Sequence, residues 1–153
     1  MEKKKKEGRY ERMHAQLIEL CKKPGTPLSR MATIAALLHN KMDHFFWTGF
    51  YLHENDTLVV GPYQGPVACQ TLEKGKGVCW AAVERDAAVI VADVTQFPGH
   101  ISCDSRSKSE ITLPVKDKNG TIRAVLDIDA KELNQFDSID SAFLYNIIYL
   151  IYN

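Results

Sequence analysis

The sequence lacks a long apolar run, an excess of either charge and a closely spaced cysteine pair. Nineteen Lys and Arg residues balance nineteen Asp and Glu residues, which predicts no nucleic-acid or membrane partner. The lysine run at residues 3–6 is followed by no apolar segment of the kind found in secretory signals. We predict a cytoplasmic protein that acts on small molecules, with residues 1–8 as a flexible basic tail.

The cysteines are spaced in a way that disfavours structural zinc. There are four, Cys21, Cys69, Cys79 and Cys103, and none belongs to a CxxC pair. A cytosolic chain keeps its thiols reduced, so they are either retained for reactivity or packed as small hydrophobic side chains. Cys21, on the first predicted helix, is predicted to pack in the core. The length of 153 residues and the 45% hydrophobic content predict a single domain over residues 1–153.

Hydrophobic periodicity predicts helices at both ends of the chain and strands in the middle. The predicted helices cover residues 10–21, 28–38, 78–85 and 137–152. Two hairpins, at residues 45–60 and 110–128, turn at polar tips, and a short strand covers residues 89–92. The predicted class is α+β, with a central antiparallel sheet and the N- and C-terminal helices packed mainly on one face.

The residues with chemical potential concentrate between positions 103 and 129. Cys103 lies in a long polar segment, residues 93–109, and segments of this length are often binding loops. Alternation along a strand places Asp127 and Asp129 on one face, opposite the apolar Leu126 and Ile128. The two carboxylates therefore face either a pocket or solvent, and Glu110 taken alone fits a surface position.

Five segments carry a resemblance to a known family. They are FWTGFY, GPYQG, ACQTLEKGKGVC, GHISCDSRSKSEITLP and VLDID. Together, from Trp47 to Asp129, they resemble the motifs of the free methionine-(R)-sulfoxide reductases, which are built on the GAF fold. The resemblance implies a GAF-like domain that reduces free L-methionine (R)-sulfoxide with thiols and without a cofactor. It also implies a homodimer.

The resemblance implies roles for three thiols. Cys103 would be the nucleophile, Cys69 the favoured resolving thiol and Cys79 a third thiol, with the order of the last two open. Reducing a sulfoxide requires one thiolate to attack sulfur and a second thiol to convert the sulfenic acid into a disulfide. A thioredoxin-like protein would then recycle the disulfide.

The acidic and aromatic residues suit the same substrate. The resemblance suggests that Asp127 and Asp129 lie near the substrate ammonium and Glu110 nearer the sulfoxide oxygen, which needs protons. Crowded carboxylates do not all ionise easily, so one of the three can keep a proton to donate. Trp47 and Tyr51 share a strand face and are predicted to enclose the thioether end, with core packing as the alternative.

Two other functions remain open at this point. A sensory GAF module would bind a small ligand without catalysis, because fold alone does not fix function. A zinc site of Cys69, Cys79, His100 and Cys103 has a plausible ligand set but irregular spacing, and we predict no metal. His100 precedes Cys103 by three residues, and a structural role for it is favoured over a catalytic one.

Overall fold

The computed structural model describes residues 1–100 and 102–153 and contains helices and an antiparallel sheet of six strands. The helices are α1 (Lys3–Cys21), α2 (Pro27–Lys41), α3 (Gly77–Arg85) and α4 (Ser138–Tyr149), with a 3₁₀ turn at Val94–Gln96. The strands are β1 (Trp47–Glu54), β2 (Thr57–Gln64), β3 (Thr71–Leu72), β4 (Val89–Val91), β5 (Ser109–Lys116) and β6 (Ile122–Ala130). Their spatial order is β3-β2-β1-β6-β5-β4.

Two hairpins build the centre of the sheet, as the sequence predicts. Between β1 and β2 the two loop residues, Asn55 and Asp56, have φ values of 50° and 59°. Positive φ at both positions matches the twist of the flanking strands. The hairpin of β5 and β6 turns at Gly120, whose φ is 82°. Because β1 also pairs with β6, the chemistry-bearing strands lie side by side.

The helices divide unequally between the two faces of the sheet. The larger core lies on the face covered by α1, α2 and α4 and contains buried residues from all three helices and from β1, β5 and β6. On the other face α3 packs over β5 and β6 in a smaller cluster that includes Trp47, Trp80 and Val125. The predicted α+β class, with terminal helices mainly on one face, is confirmed. No helix among the described residues is long and apolar enough to cross a membrane.

The flexible tail predicted for residues 1–8 is wrong from Lys3 onward, because α1 begins there. Lys6 is 4% exposed, and its Nζ donates to Asp140 Oδ2 at 2.7 Å. Tyr10 Oη donates to the other oxygen of Asp140 at 2.6 Å. The first helix is therefore anchored to the start of α4 through a buried carboxylate that also accepts from the backbone N–H of Asp137.

Cys21 ends α1 in a half-buried position outside both core clusters. The prediction that it packs in the core is therefore wrong, since α1 ends at this residue and residues 22–26 after it are exposed. Burial still raises the pKa of its thiol, and the charge of Arg30 opposes that rise.

Candidate active site

Three strands align the acidic side chains in rows across the sheet. In one row Glu110 of β5 pairs with Asp129 of β6, which pairs with Trp47 of β1. In the next row Asp127 pairs with Gly49 of β1. Directly opposed residues on neighbouring strands have adjacent side chains. The sheet register therefore brings Glu110, Asp127 and Asp129 together, as the functional hypothesis requires.

Helix α3 covers these acidic side chains and adds a thiol to the group. The hydroxyl of Thr112 donates to the carbonyl of Val78 at 3.1 Å and ties the start of the helix to β5. This position brings Cys79 over the carboxylates: its Sγ and one oxygen each of Glu110 and Asp127 lie within 4.8 Å of one another. All three residues are buried.

The carboxyl groups have strongly altered acidity. Burial raises the pKa of Glu110 well above its ordinary value, and the charges of Asp127 and Asp129 raise it further. Burial also raises the pKa of Asp127, against the opposing effect of hydrogen bonds with Glu110 and Cys79. The pKa of Asp129 rises through burial and then through the charge of Asp127. Such a cluster retains protons near neutral pH and can donate them.

An aromatic wall forms one side of the cavity. The Trp47 ring stacks between those of Tyr51 and Tyr63, with centroids 5.8 Å and 5.2 Å away. Trp47 Nε1 donates to the carbonyl of Pro66 at 3.1 Å, and Tyr51 Oη donates to the carbonyl of Cys69 at 3.2 Å. The wall is therefore held in place and connected to the segment that carries Cys69.

The wall requires glycine at position 49. A Cβ at Gly49 would lie 2.3 Å from Cβ of Tyr63 and 2.7 Å from the Trp47 ring. Both distances are far inside van der Waals contact. Gly49 lies between Trp47 and Tyr51 on the same strand face. The Trp47 ring therefore occupies the space that a side chain at position 49 would need.

The cavity opens beside a disulfide. Cys69 follows β2 and Cys103 lies in the segment between β4 and β5, and the two form a disulfide with a Cα–Cα distance of 5.4 Å. Cys103 is exposed and Cys69 is half-buried. Cys103 lines the same cavity as Cys79, Glu110 and Asp129. Two of the predicted thiols are thus joined at the entrance, and the third lies inside.

An ion pair flanks Cys103. Arg106 donates to both carboxylate oxygens of Asp104, at 3.0 Å and 2.7 Å, and these hydrogen bonds lower the pKa of Asp104 to about 2. The Arg106 guanidinium also lies 4.8 Å from the ring centroid of Phe46. Phe46 and Asp104 both line the cavity, so the pair connects the Cys103 segment to the aromatic side of the entrance.

The structure brings together the residues selected from the sequence. Cys79, Cys103, Glu110, Asp127, Asp129, Trp47 and Tyr51 all line one cavity, and Cys69 is bonded to Cys103. His100 lines the cavity as well, and burial lowers its pKa. The set Cys69, Cys79, His100 and Cys103 does not form the ligand group considered above, because two of its sulfurs are bonded to each other.

Sequence reasoning missed Tyr63 and Pro66, which position Trp47. Part of the signal was present, since Tyr63 belongs to the segment GPYQG that contributes to the family resemblance and Pro66 directly follows it. Neither carries a reactive group, and their contribution becomes visible only through the stacking on Trp47 and the hydrogen bond from its indole.

The fold is similar to that of a solved putative GAF sensor protein from Burkholderia vietnamiensis, which is 34% identical with a TM-score of 0.91, covering 97% of this chain and 94% of that one. No protein-family model matches the sequence. GAF domain-containing protein A of Dictyostelium discoideum is 44% identical over 149 residues, which cover 97% of this chain and 93% of that protein. The molecule is therefore a protein of the GAF class.

Two further relatives narrow the class to a family. The free methionine-R-sulfoxide reductase of Escherichia coli is 44% identical over 121 residues, covering 79% of this chain and 73% of that protein. The free methionine-R-sulfoxide reductase of Neisseria meningitidis, solved in complex with its substrate, is 35% identical with a TM-score of 0.88, covering 93% of this chain and 85% of that one. The chain belongs to the free methionine-R-sulfoxide reductase family.

Proposed function

We propose that the protein reduces free L-methionine (R)-sulfoxide to methionine with its own thiols. The observation that carries the proposal is the Cys69–Cys103 disulfide at the entrance of the cavity that contains Glu110, Asp127 and Asp129. A disulfide is the oxidised product expected when two thiols supply the electrons for this reduction. The carboxylates supply the charge and protons that an amino-acid sulfoxide requires.

The proposed reaction balances with two thiols. The Cys103 thiolate attacks the sulfoxide sulfur, one net proton is taken up, and oxygen passes from the substrate sulfur to the cysteine sulfur, so that methionine is released and Cys103 becomes a sulfenic acid. The Cys69 thiol then attacks that sulfur and water leaves. Sulfoxide and two thiols thus give thioether, disulfide and water, and the sulfur of methionine gains two electrons.

The carboxylates divide between binding and proton transfer. No Lys or Arg within residues 1–100 and 102–153 forms a salt bridge with Glu110, Asp127 or Asp129, as the ion pairs involve other acids. A substrate ammonium provides the missing positive charge for Asp127 and Asp129. We assign proton donation to Glu110, because burial and the charges of Asp127 and Asp129 favour its protonated form.

The surroundings of Cys79 favour Cys69 as the resolving thiol. Burial raises the pKa of Cys79 well above its ordinary value, and the charges of Asp127, Glu110 and Asp129 raise it further. The resulting low thiolate content disfavours attack on a sulfenic acid. Cys79 is therefore the third thiol, and its neighbourhood suits contact with the substrate.

Recycling requires an external dithiol. We propose a thioredoxin-like protein, because it delivers two electrons by thiol–disulfide exchange and leaves both cysteines reduced. Exposed Cys103 gives such a partner access. We also propose a cytoplasmic location, where thiols are kept reduced, and a homodimer of chains that each form one domain over residues 1–153.

The experiment compares free methionine (R)-sulfoxide with its N-acetylated form. Burying Asp127 against a neutral amide would leave a carboxylate unpaired, at a cost on the order of several kcal/mol. We expect the parent protein to prefer the free amino acid by at least about 100-fold in kcat/KM, and Asp127→Asn to lose most activity on the free form. Asp43→Asn, at an exposed position, is the matched control and should retain the preference.

Two results would contradict the proposal. Equal rates on both substrates would contradict the proposed pairing of Asp127 and Asp129 with the substrate ammonium. Binding of the sulfoxide without any thiol-dependent conversion to methionine would favour the sensory GAF module, which holds a ligand and carries out no chemistry.

A further inference from the structure

Cys79, Glu110 and Asp127 form a compact group of potential metal ligands. They come from three elements, α3, β5 and β6, and their ligand atoms lie within 4.8 Å of one another. The side chains are 3%, 5% and 6% exposed, respectively. A thiolate and two carboxylates that converge in a buried space are a ligand set that divalent cations accept.

Two oxygens of this group lack partners. Glu110 Oε2 and Asp127 Oδ1 are buried and accept no hydrogen bond from any group outside the cluster in residues 1–100 and 102–153. Unpartnered buried acceptors are costly. In the proposed reaction a substrate ammonium and a proton are the partners of these two oxygens. When no substrate is bound, another cation can take that place.

We propose that Cys79, Glu110 and Asp127 form an inhibitory binding site for a borderline-soft divalent cation, Zn²⁺ or its softer analogue Cd²⁺. The bound cation occupies the position of the substrate ammonium and excludes the substrate, so this inference rests on the proposed function. Zn–S and Zn–O bonds of about 2.3 Å and 2.0–2.2 Å place ligand atoms roughly 3.3–3.8 Å apart in a tetrahedral site. Small side-chain shifts would close the present group, whose ligand atoms lie within 4.8 Å of one another, to that size, and all three residues line the cavity.

The ligand set selects the class of metal. A thiolate ligand favours Zn²⁺ and Cd²⁺ over Mg²⁺ and Ca²⁺, which prefer oxygen alone. The Cys79 thiol gives up its proton when the metal binds. No electrons are transferred, and the Cys69–Cys103 disulfide remains closed, which separates this site from the entrance thiols.

The test uses the oxidised protein, in which the disulfide leaves only Cys21 and Cys79 as free thiols. Cd²⁺ is titrated in while sulfur-to-cadmium charge-transfer absorption is followed in the ultraviolet. We expect saturation at one equivalent, loss of the absorption in Cys79→Ser and its retention in Cys21→Ser. Excess free methionine sulfoxide should displace the metal.

Glu110→Gln and Asp127→Asn keep the thiol and provide a second measurement. Each should weaken Cd²⁺ binding by at least about tenfold, with charge-transfer absorption restored at higher metal concentration. These variants decide the question if Cys79→Ser does not fold, as judged by circular dichroism. Unchanged affinity in both, absorption that follows Cys21, or metal that excess sulfoxide does not displace would overturn the inference.

The binding measurement requires no turnover. A protein that binds Cd²⁺ through Cys79 and releases it to excess sulfoxide, but does not reduce the sulfoxide, would contradict the proposed function alone. A protein that reduces the sulfoxide but gives no cadmium–thiolate absorption would contradict this inference alone.

Discussion

The three cysteines of the cavity differ in what surrounds their sulfur atoms. Cys103 is exposed and bonded to half-buried Cys69, while Cys79 is enclosed among carboxylates that raise its pKa. The sequence predicted that all three matter but left the choice of resolving thiol open. Spacing carries no information on which sulfurs meet, because Cys69 and Cys103 come together only when the sheet folds.

These surroundings predict different phenotypes for the cysteine variants. Cys69→Ser should form one equivalent of methionine in a single turnover but recycle poorly with a dithiol protein, because the sulfenic acid on Cys103 lacks its partner. Cys103→Ser should form none, and Cys79→Ser should recycle. Quantifying methionine under single and multiple turnover checks this. Normal recycling by Cys69→Ser together with failure of Cys79→Ser would transfer the resolving role to Cys79.

Glu110 should make the protein less stable as the pH rises. Its pKa is raised in the folded state, so its favourable contribution is complete below the unfolded value of about 4.3 and is lost between that value and the raised one. Glu110→Gln removes this titration and should increase the free energy of unfolding at pH 8 by on the order of 1 kcal/mol.

Denaturant unfolding at several pH values checks this prediction, with the disulfide kept closed. The gain from Glu110→Gln should shrink toward pH 4, where the parent carboxyl is protonated in both states. Glu11→Gln, at an exposed position on α1, is the control and should show little change. A Glu110→Gln variant that is less stable at pH 8 than at pH 4, relative to the parent, would contradict the assigned direction of the pKa shift.

At the scale of elements, strand register explains a residue that the sequence analysis missed. Counting back from the two-residue turn pairs Gly49 with Pro62, but the register of β1 and β2 shifts between Gly49 and Tyr51, so Gly49 pairs with Tyr63. The shift brings the Tyr63 ring against Trp47. A β-bulge of this kind reverses which residues face the cavity, and hydrophobic alternation alone does not reveal it.

The start of α1 was missed for a different reason. A lysine run has no apolar periodicity, and local patterns favour a solvated tail. The partner that buries Lys6 is Asp140, 134 positions later. Secondary structure that depends on such a distant ion pair is not visible in the local sequence, whereas β5 and β6 were predicted from their own alternation and turn.

Breaking this ion pair should destabilise the fold. Lys6→Met leaves the Asp140 carboxylate buried without its cation, at a cost of about 3–5 kcal/mol, although Tyr10 still donates to it. Lys5→Met changes an exposed neighbour on the same helix and should cost little. Chemical denaturation of both variants checks the prediction. A loss below about 1 kcal/mol for Lys6→Met would show that the pair does not anchor α1.

At the scale of the whole molecule, the unequal placement of helices creates the site. Three helices bury one face of the sheet, and the other face carries α3 and the segments that contain Cys69 and Cys103. The acidic residues of β5 and β6 point to this second face, where a cavity remains. Motif resemblance selected the proposed reacting residues, and the periodicity of the strands predicted the shared face of Asp127 and Asp129. The α3 cover, the aromatic wall and the closed disulfide required the tertiary structure.

The central claim is that this cavity reduces free methionine (R)-sulfoxide by oxidising Cys103 and Cys69. The most direct measurement is peptide mass spectrometry after a single turnover of the fully reduced protein, with methionine quantified in the same sample. The account predicts one equivalent of methionine per chain and a new disulfide between Cys69 and Cys103, with Cys21 and Cys79 still reduced. Methionine formed with Cys69 and Cys103 still reduced, or a disulfide formed without methionine, would contradict it.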